Sequence, residues 1–272
     1  MPSIVLPRSF NVAVSDDGVA VFTLNRPREK NALTVQTYEE LRDTFRAAAD
    51  DERIKVVVLT GAGDDFCSGG HVKEIIGQLV DANEAQLRQF NELTLQSVMA
   101  MRQLAKPIIA AIDGIAAGGG AALALAADLR VASNRARIGF VFPKVGLCAG
   151  DMGVSWMLPR LVGAGRAAEL LMFGDLIAAD EAHAMGLVNL VVSPNDLLPK
   201  ARAWAQRLIA GPHVATARTK ALLNATWDQT FTQAMVAEAE AQTACMQEPD
   251  FREGYDAFVE KRLAAFGRKR QG

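Results

Sequence analysis

The chain has 272 residues, a formal net charge of −2 and 50% hydrophobic residues. This length and apolar content allow a sizeable core, and the near-neutral charge excludes a disordered polyelectrolyte and argues against a nucleic-acid partner. No apolar run approaches the roughly 20 residues of a membrane helix, and the first residues lack a secretory signal pattern. The three cysteines, Cys67, Cys148 and Cys245, lack metal-site spacing. They fit a reducing cytoplasm, and we expect no metal.

Strands and helices alternate along the first part of the chain, as hydrophobic periodicity predicts. Strands are predicted at residues 19–24, 54–60, 107–112, 129–133 and 137–140. Helices are predicted at residues 34–49, capped by Thr34, and at 84–104. An irregular segment at 143–153 precedes a largely helical remainder, and residues 268–272 read as a solvated tail. The sequence therefore predicts an α/β region over 1–195 and a helical region over 196–272.

One stretch stands out, because a buried strand leads into three consecutive glycines and then a helix of small residues. The glycines are Gly118, Gly119 and Gly120, and alanine and leucine follow them to residue 127. A helix that begins here points free N–H groups and its positive dipole end at whatever lies above the glycines. Such a turn can hold a developing negative charge on oxygen. The alternative is a tightly packed turn without a ligand.

A second strand, residues 54–60, also runs into a glycine-bearing turn, over 61–73, and further motifs accompany the two turns. These motifs are Leu24-Asn25-Arg26-Pro27, Lys30-Asn31-Ala32-Leu33, Leu59-Thr60-Gly61-Ala62-Gly63, Phe66-Cys67-Ser68-Gly69-Gly70, Gly114–Gly120, Leu158–Gly163, Ala184–Asn189 and Phe258–Arg262. In this order and spacing they resemble the crotonase family, also called the enoyl-CoA hydratase/isomerase superfamily.

The resemblance implies an α/β fold, a crotonase-like spiral of ββα turns with a C-terminal helical trimerisation region. It implies a homotrimer or a dimer of trimers acting on acyl-CoA thioesters. Coenzyme A would be part of the substrate, with no permanently bound cofactor. The N–H groups of Gly70 and Gly119 would polarise the thioester carbonyl and stabilise an enolate.

Further residues match positions that the family uses to bind its substrate. The segments 28–32 and 68–73 would line the path of coenzyme A, and Lys261 would reach it from a neighbouring subunit. The matching residues are Arg28, Lys30, Ala32, Ser68, Gly69, His71, Val72, Lys73, Ala122, Lys144 and Lys261. For each basic residue the alternative is a solvated surface charge.

The sequence departs from the family's hydratases at both of their catalytic glutamates. Ala122 stands three residues after Gly119, and Lys144 follows Pro143, where those enzymes carry carboxylates. Hydration of a double bond needs a group that activates water and a proton donor for the α-carbon. Alanine supplies neither, and lysine would act as a base only with a strongly lowered pKa. The two-glutamate mechanism is therefore not expected.

Asp151 is the carboxylate that remains in this region, close to where some family isomerases and dehalogenases place an aspartate. A single acid/base group suffices for a double-bond isomerase, although Asp151 has the alternative of capping the next helix. His71, directly after Gly70, is either an acid/base group or a supporting hydrogen bonder. The other readings are a hydratase that uses Asp151, a Cys148–His71–Asp151 hydrolase, a catalytically weak acyl-CoA-binding protein and a purely structural oligomer.

Overall fold

The structure, a computed structural model, describes residues 7–267. Its strands are β1 (Phe10–Val14), β2 (Val19–Leu24), β3 (Val56–Gly61), β4 (Ile108–Ile112), β5 (Ile115–Ala117), β6 (Leu129–Ser133), β7 (Arg137–Gly139), β8 (Ile177–Ala178) and β9 (Leu190–Val192). Its helices are α1 (Val35–Asp50), α2 (Gly77–Val80), α3 (Glu84–Gln103), α4 (Gly119–Ala126), α5 (Val154–Val162), α6 (Ala164–Phe173), α7 (Ala179–Ala184), α8 (Leu197–Ile209), α9 (His213–Ala225), α10 (Phe231–Met246) and α11 (Pro249–Glu260).

Two sheets organise these elements. The larger has the order β1-β2-β3-β4-β6-β9, and the smaller has the order β5-β7-β8. The β1–β2 and β7–β8 pairs are antiparallel, and the other pairs are parallel. Because β4 lies in the larger sheet and β5 in the smaller, the chain changes sheets at residues 113–114. This change brings the glycine stretch to the boundary between the two sheets.

The larger sheet buries both of its faces, which explains the uninterrupted apolar runs of β3 and β4. One face, with Phe22, Leu59 and Ile112, belongs to the main core under α1, α3 and α4. The opposite face packs against α8, whose inward residues include Leu197 and Ala201. A helix of the C-terminal part thus covers the sheet. The division of the chain at residue 195 stays a prediction.

Several predicted elements are confirmed, and short ones were missed. Thr34 caps α1 as predicted, since its hydroxyl accepts the Thr37 N–H at 3.1 Å. Strand β3 begins at Val56, two residues later than predicted, and strands β1, β5, β8 and β9 were not predicted. The predicted tail at 268–272 and the first six residues lie outside the described residues. Between residues 7 and 267, no helix combines the length and the apolarity that crossing a membrane requires.

Candidate active site

The two glycine turns lie side by side and are joined by backbone hydrogen bonds. Cys67 donates its N–H to the carbonyl of Ile115 at 2.8 Å, and Ala117 donates to the carbonyl of Cys67 at 2.9 Å. On the other side of the first turn, Leu33 donates to Gly69 at 2.8 Å, and His71 donates to Leu33 at 2.8 Å. The segment 66–70 is therefore fixed between the start of α1 and strand β5.

Two glycines are required for this close approach. Gly69 has φ +94°, and a Cβ on it would lie 2.8 Å from the Ala117 carbonyl oxygen and 3.3 Å from the Gly119 nitrogen. A Cβ on Gly120 would overlap the carbonyl of Cys67. Any larger residue at either position would push the turns apart. The absence of these side chains sets the first turn directly beside the Gly119 nitrogen.

Gly70 and Gly119 each carry a free N–H group in this arrangement. Gly119 is the first residue of α4, where a helix has no internal acceptor for its N–H. Among residues 7–267, neither N–H donates a hydrogen bond to a protein acceptor. Two neighbouring donors at the positive end of a helix can bind an oxygen atom that gains negative charge.

Polar side chains hold the first turn from a distance. Asn31, buried and at φ +54°, accepts the Arg26 N–H at 2.9 Å. Its amide donates to the carbonyls of Ala62 and Asp65 at 2.9 and 2.7 Å. The Asp65 carboxylate in turn accepts the N–H of Ile115 at 2.8 Å. This network fixes the first turn against the second, a role of Asn31 that the motif in the sequence does not predict.

His71 is a helix cap in the structure. Its Nδ1 accepts the N–H of Glu74 at 3.1 Å, at the start of one π-helical turn over residues 72–76. Its Nε2 lies 3.7 Å from the carboxylate of Glu29. Neither ring nitrogen of His71 contacts Cys148. The predicted Cys148–His71–Asp151 triad of a hydrolase is therefore not assembled, and that prediction is wrong. The geometry favours the supporting hydrogen bonder.

Glu29, His71 and Glu74 form a cluster whose ligand atoms lie within 4.8 Å of one another. Three such groups could hold a cation, but the guanidinium of Arg26 already pairs with both carboxylates, at 2.7 Å to Glu74. The Nδ1 lone pair of His71 is also engaged by the Glu74 N–H. The donor set is therefore neutralised from within the chain and fits a metal ion poorly.

Asp151 lies in the segment that leads into α5. Burial raises the pKa of its carboxyl group, and the nearby Met152 N–H opposes the rise in part. The N-cap residue of α5 is Gly153, and no side chain accepts a hydrogen bond from the first N–H groups of this helix. The alternative that the Asp151 side chain caps the helix is therefore wrong. Met152 adopts φ +51°, an unfavourable conformation for a non-glycine residue that is concentrated at functional sites.

Tyr38 is the neighbour of this site that the sequence did not reveal. Helical spacing placed Tyr38 on the apolar face of α1, which is correct, since only 3% of the residue is exposed. Its hydroxyl oxygen, however, lies 2.6 Å from the position that a Cβ on Gly119 would take. The signal available in the sequence was a polar hydroxyl in an otherwise apolar stripe.

The residues predicted to bind the substrate fall into three groups. Ala32, Gly69 and Ala122 are buried, and Ser68 is half-buried beside the first turn. Arg28, Lys30, Val72 and Lys73 are exposed on the rim of that turn. Lys144 pairs with Asp175 at 2.8 Å on the surface, and Lys261 ends α11, which packs on α10. The fold brings segments 28–32 and 68–73 together, since Ser68 donates its N–H to the Lys30 carbonyl at 2.9 Å. Lys144 is engaged in its ion pair, and Lys261 lies among the C-terminal helices.

Comparison with known proteins decides the family. The sequence profile described as Enoyl-CoA hydratase/isomerase matches residues 15–269. The chain belongs to the enoyl-CoA hydratase/isomerase family. The predicted resemblance and its α/β fold are thereby confirmed, and so is the general class of enzyme.

Relatives of this enoyl-CoA hydratase/isomerase family member carry different activities in their names. A crotonyl-CoA hydratase of Syntrophomonas wolfei is 38% identical, over 92% of this chain and 95% of that protein. A 1,2-epoxyphenylacetyl-CoA isomerase of Escherichia coli is 32% identical, over 92% and 95%. A crystal structure from Streptomyces coelicolor A3(2), provisionally named an enoyl-CoA hydratase, superposes with a TM-score of 0.94 at 43% identity, covering 98% of this chain and 97% of that one.

Proposed function

We propose that the protein isomerises the carbon–carbon double bond of an enoyl-CoA thioester. Gly70 and Gly119 would bind the thioester oxygen through their N–H groups, and Asp151 would transfer the proton. The supporting observation is the pair of free N–H groups near the segment of a half-buried carboxyl group, at a site without the two hydratase glutamates. The Met152 sulfur, next in sequence to Asp151, lies 3.4 Å from the position of a Cβ on Gly119. Ala122 is buried and apolar, and Lys144 is exposed and paired with Asp175.

The reaction balances with one acid/base group. The Asp151 carboxylate removes a proton from the α-carbon of a 3-enoyl thioester, and the electron pair moves through the carbonyl carbon onto oxygen. The two N–H groups stabilise this dienolate, each by roughly 3–4 kcal/mol in a dry site. The protonated Asp151, whose proton can exchange with solvent, then donates a proton to the γ-carbon, and the electrons of the enolate form the 2,3-double bond. No water enters the product.

Burial of Asp151 suits this role. A raised pKa makes the Asp151 carboxylate a stronger base and brings its pKa closer to neutral pH, where a single group serves best as base and then as acid. The base form is lost as the pH falls through the raised pKa. We therefore expect the rate to decrease on the acid side at a higher pH than an ordinary aspartate would give.

An ultraviolet assay with a 3-enoyl-CoA and a 2-enoyl-CoA, side by side, tests this proposal. Asp151→Asn keeps the shape of the side chain and removes the base, so isomerisation should fall by about 10²- to 10⁴-fold. Thioester binding, measured by calorimetry, should persist in the variant. Isomerisation that survives Asp151→Asn would remove Asp151 from the mechanism.

Hydration is the second candidate, because the crotonyl-CoA hydratase of Syntrophomonas wolfei covers almost the whole chain. Asp151 would then activate water, with His71 as a further group. Formation of a 3-hydroxyacyl-CoA from 2-enoyl-CoA, abolished by Asp151→Asn, would favour this reaction. Binding of a broad panel of thioesters without turnover would instead favour an acyl-CoA-binding protein.

We also propose assembly as a homotrimer or a dimer of trimers through the C-terminal helices. Large apolar side chains there are exposed in the isolated chain, among them Phe231, Phe258 and Leu263. Exposed apolar area of this kind marks association surfaces. Light scattering coupled to gel filtration should give three or six chains, and a monomer would contradict the proposal. We propose the cytoplasm as the location, in keeping with three free cysteines.

A further inference from the structure

Tyr38 places a hydroxyl group at the junction of Gly119 and the Asp151 segment. Its ring is held by Phe90 in an edge-to-face contact with centroids 6.0 Å apart. The hydroxyl oxygen lies 2.6 Å from the position of a Cβ on Gly119, so only glycine leaves room for it there. α1 and α3 together fix the phenol against the first turn of α4.

The Tyr38 hydroxyl has no strong acceptor. Within residues 7–267 its hydrogen-bond partner is the Met152 sulfur, 3.8 Å away, and a thioether is a weak acceptor. A buried hydroxyl without a good acceptor destabilises a fold. Such a hydroxyl is therefore expected where a bound ligand, or another protonation state of a neighbouring group, supplies the acceptor. Met152, its contact, directly follows Asp151 and is itself strained at φ +51°.

Two titratable groups, Cys67 and Asp151, act on Tyr38, and only Asp151 can become a charged acceptor for its hydroxyl. Cys67, from the first glycine turn, is neutral, because burial raises the pKa of its thiol to about 12. Burial, with smaller contributions from Cys67 and Asp151, raises the pKa of Tyr38 well above its usual value. The phenol therefore stays protonated and remains a donor while Asp151 titrates.

We propose that Tyr38 is a positioning residue for Asp151: when the carboxylate ionises, the Tyr38 hydroxyl turns from the Met152 sulfur to donate to it, and so holds Asp151 against the Gly119 end of α4. This inference rests on the proposed function. A hydrogen bond to the charged form stabilises that form, so it limits the effect of burial on Asp151. Tyr38 thereby sets the pH above which the base is available.

Deuterium exchange at the α-carbon of butanoyl-CoA tests this role, because exchange requires an enolate and no particular later step. Tyr38→Phe keeps the ring and removes the donor. We expect the apparent pKa of the exchange rate to rise by about one unit, which is roughly tenfold in rate on the acid side. The rates of variant and wild type should converge at high pH. Tyr38→Phe should still unfold in one cooperative transition, since the ring and its packing are kept.

Tyr255 provides the matched control, because it is the other of the two tyrosines in the chain and is exposed on α11. Tyr255→Phe should leave the apparent pKa in place. An unshifted profile in Tyr38→Phe, or a rate lowered equally at every pH, would overturn the positioning role. A wild-type protein that exchanges no deuterium would overturn the proposed enolate chemistry, and this inference with it.

Discussion

The two glycine turns of the site are held by different forces. The second turn, residues 114–120, and the helix after it are fixed by packing, since every residue of α4 is buried and Gly120 touches the backbone of Cys67. The first turn, residues 61–70, is fixed by polar side chains, chiefly Asn31 from outside the turn and its own Asp65. Its end at His71 lies near the surface beside Arg26 and two glutamates.

This difference assigns separate tasks to the turns. Steric fit defines the position of the Gly119 donor, so changes there should act on catalysis directly. A hydrogen-bond network defines the position of the Gly70 donor, so changes there should act first on stability. Substitutions in each turn can therefore test whether packing and hydrogen bonding have these separate effects.

The largest effect is expected in the second turn, from Gly119→Pro. Proline is favourable at the first position of a helix, and it removes the N–H that would bind the thioester oxygen. Gly119→Ala is the matched control, because it adds the same Cβ against Tyr38 and keeps the N–H. We expect kcat of the proline variant to fall about 10²- to 10³-fold below that of the alanine variant. Equal values of kcat in two folded variants would contradict a donor at Gly119.

An intermediate effect is expected where the first turn is supported, from Asn31→Ala. The change leaves the Arg26 N–H and the carbonyls of Ala62 and Asp65 without their partner, which should lower the free energy of unfolding by about 3 kcal/mol. Asn11→Ala, at an exposed position of strand β1, should change it by less than about 0.5 kcal/mol. Urea denaturation measures both. Similar values would mean that the network does not hold the turn.

The smallest effect is expected at the end of the first turn, from His71→Ala. Loss of the cap on the Glu74 N–H should lower the free energy of unfolding by about 1 kcal/mol, and His71→Asn should restore most of it. The kcat of the asparagine variant should stay within about threefold of wild type, since a cap moves no proton. A large loss of kcat in a stable His71→Asn protein would make His71 an acid/base group.

The sequence predicted those parts of the site that depend on glycine and on local caps. Residue type alone predicts a turn at Gly118–Gly120 and a helix start at Thr34, and both are confirmed. Strand β5, three residues long, gives no periodicity to detect. The roles of Asn31 and Tyr38 depend on contacts with residues 31 to 114 positions away in the chain. A single sequence without that geometry could assign Tyr38 only to the core.

A crystal structure with a bound acyl-CoA thioester tests the central claim most directly. We expect the thioester oxygen at about 2.7–3.1 Å from both the Gly70 and the Gly119 nitrogen. The Asp151 carboxylate should then lie within reach of the α-carbon. A thioester oxygen that contacts neither nitrogen, or N–H groups that point away from each other, would contradict the account.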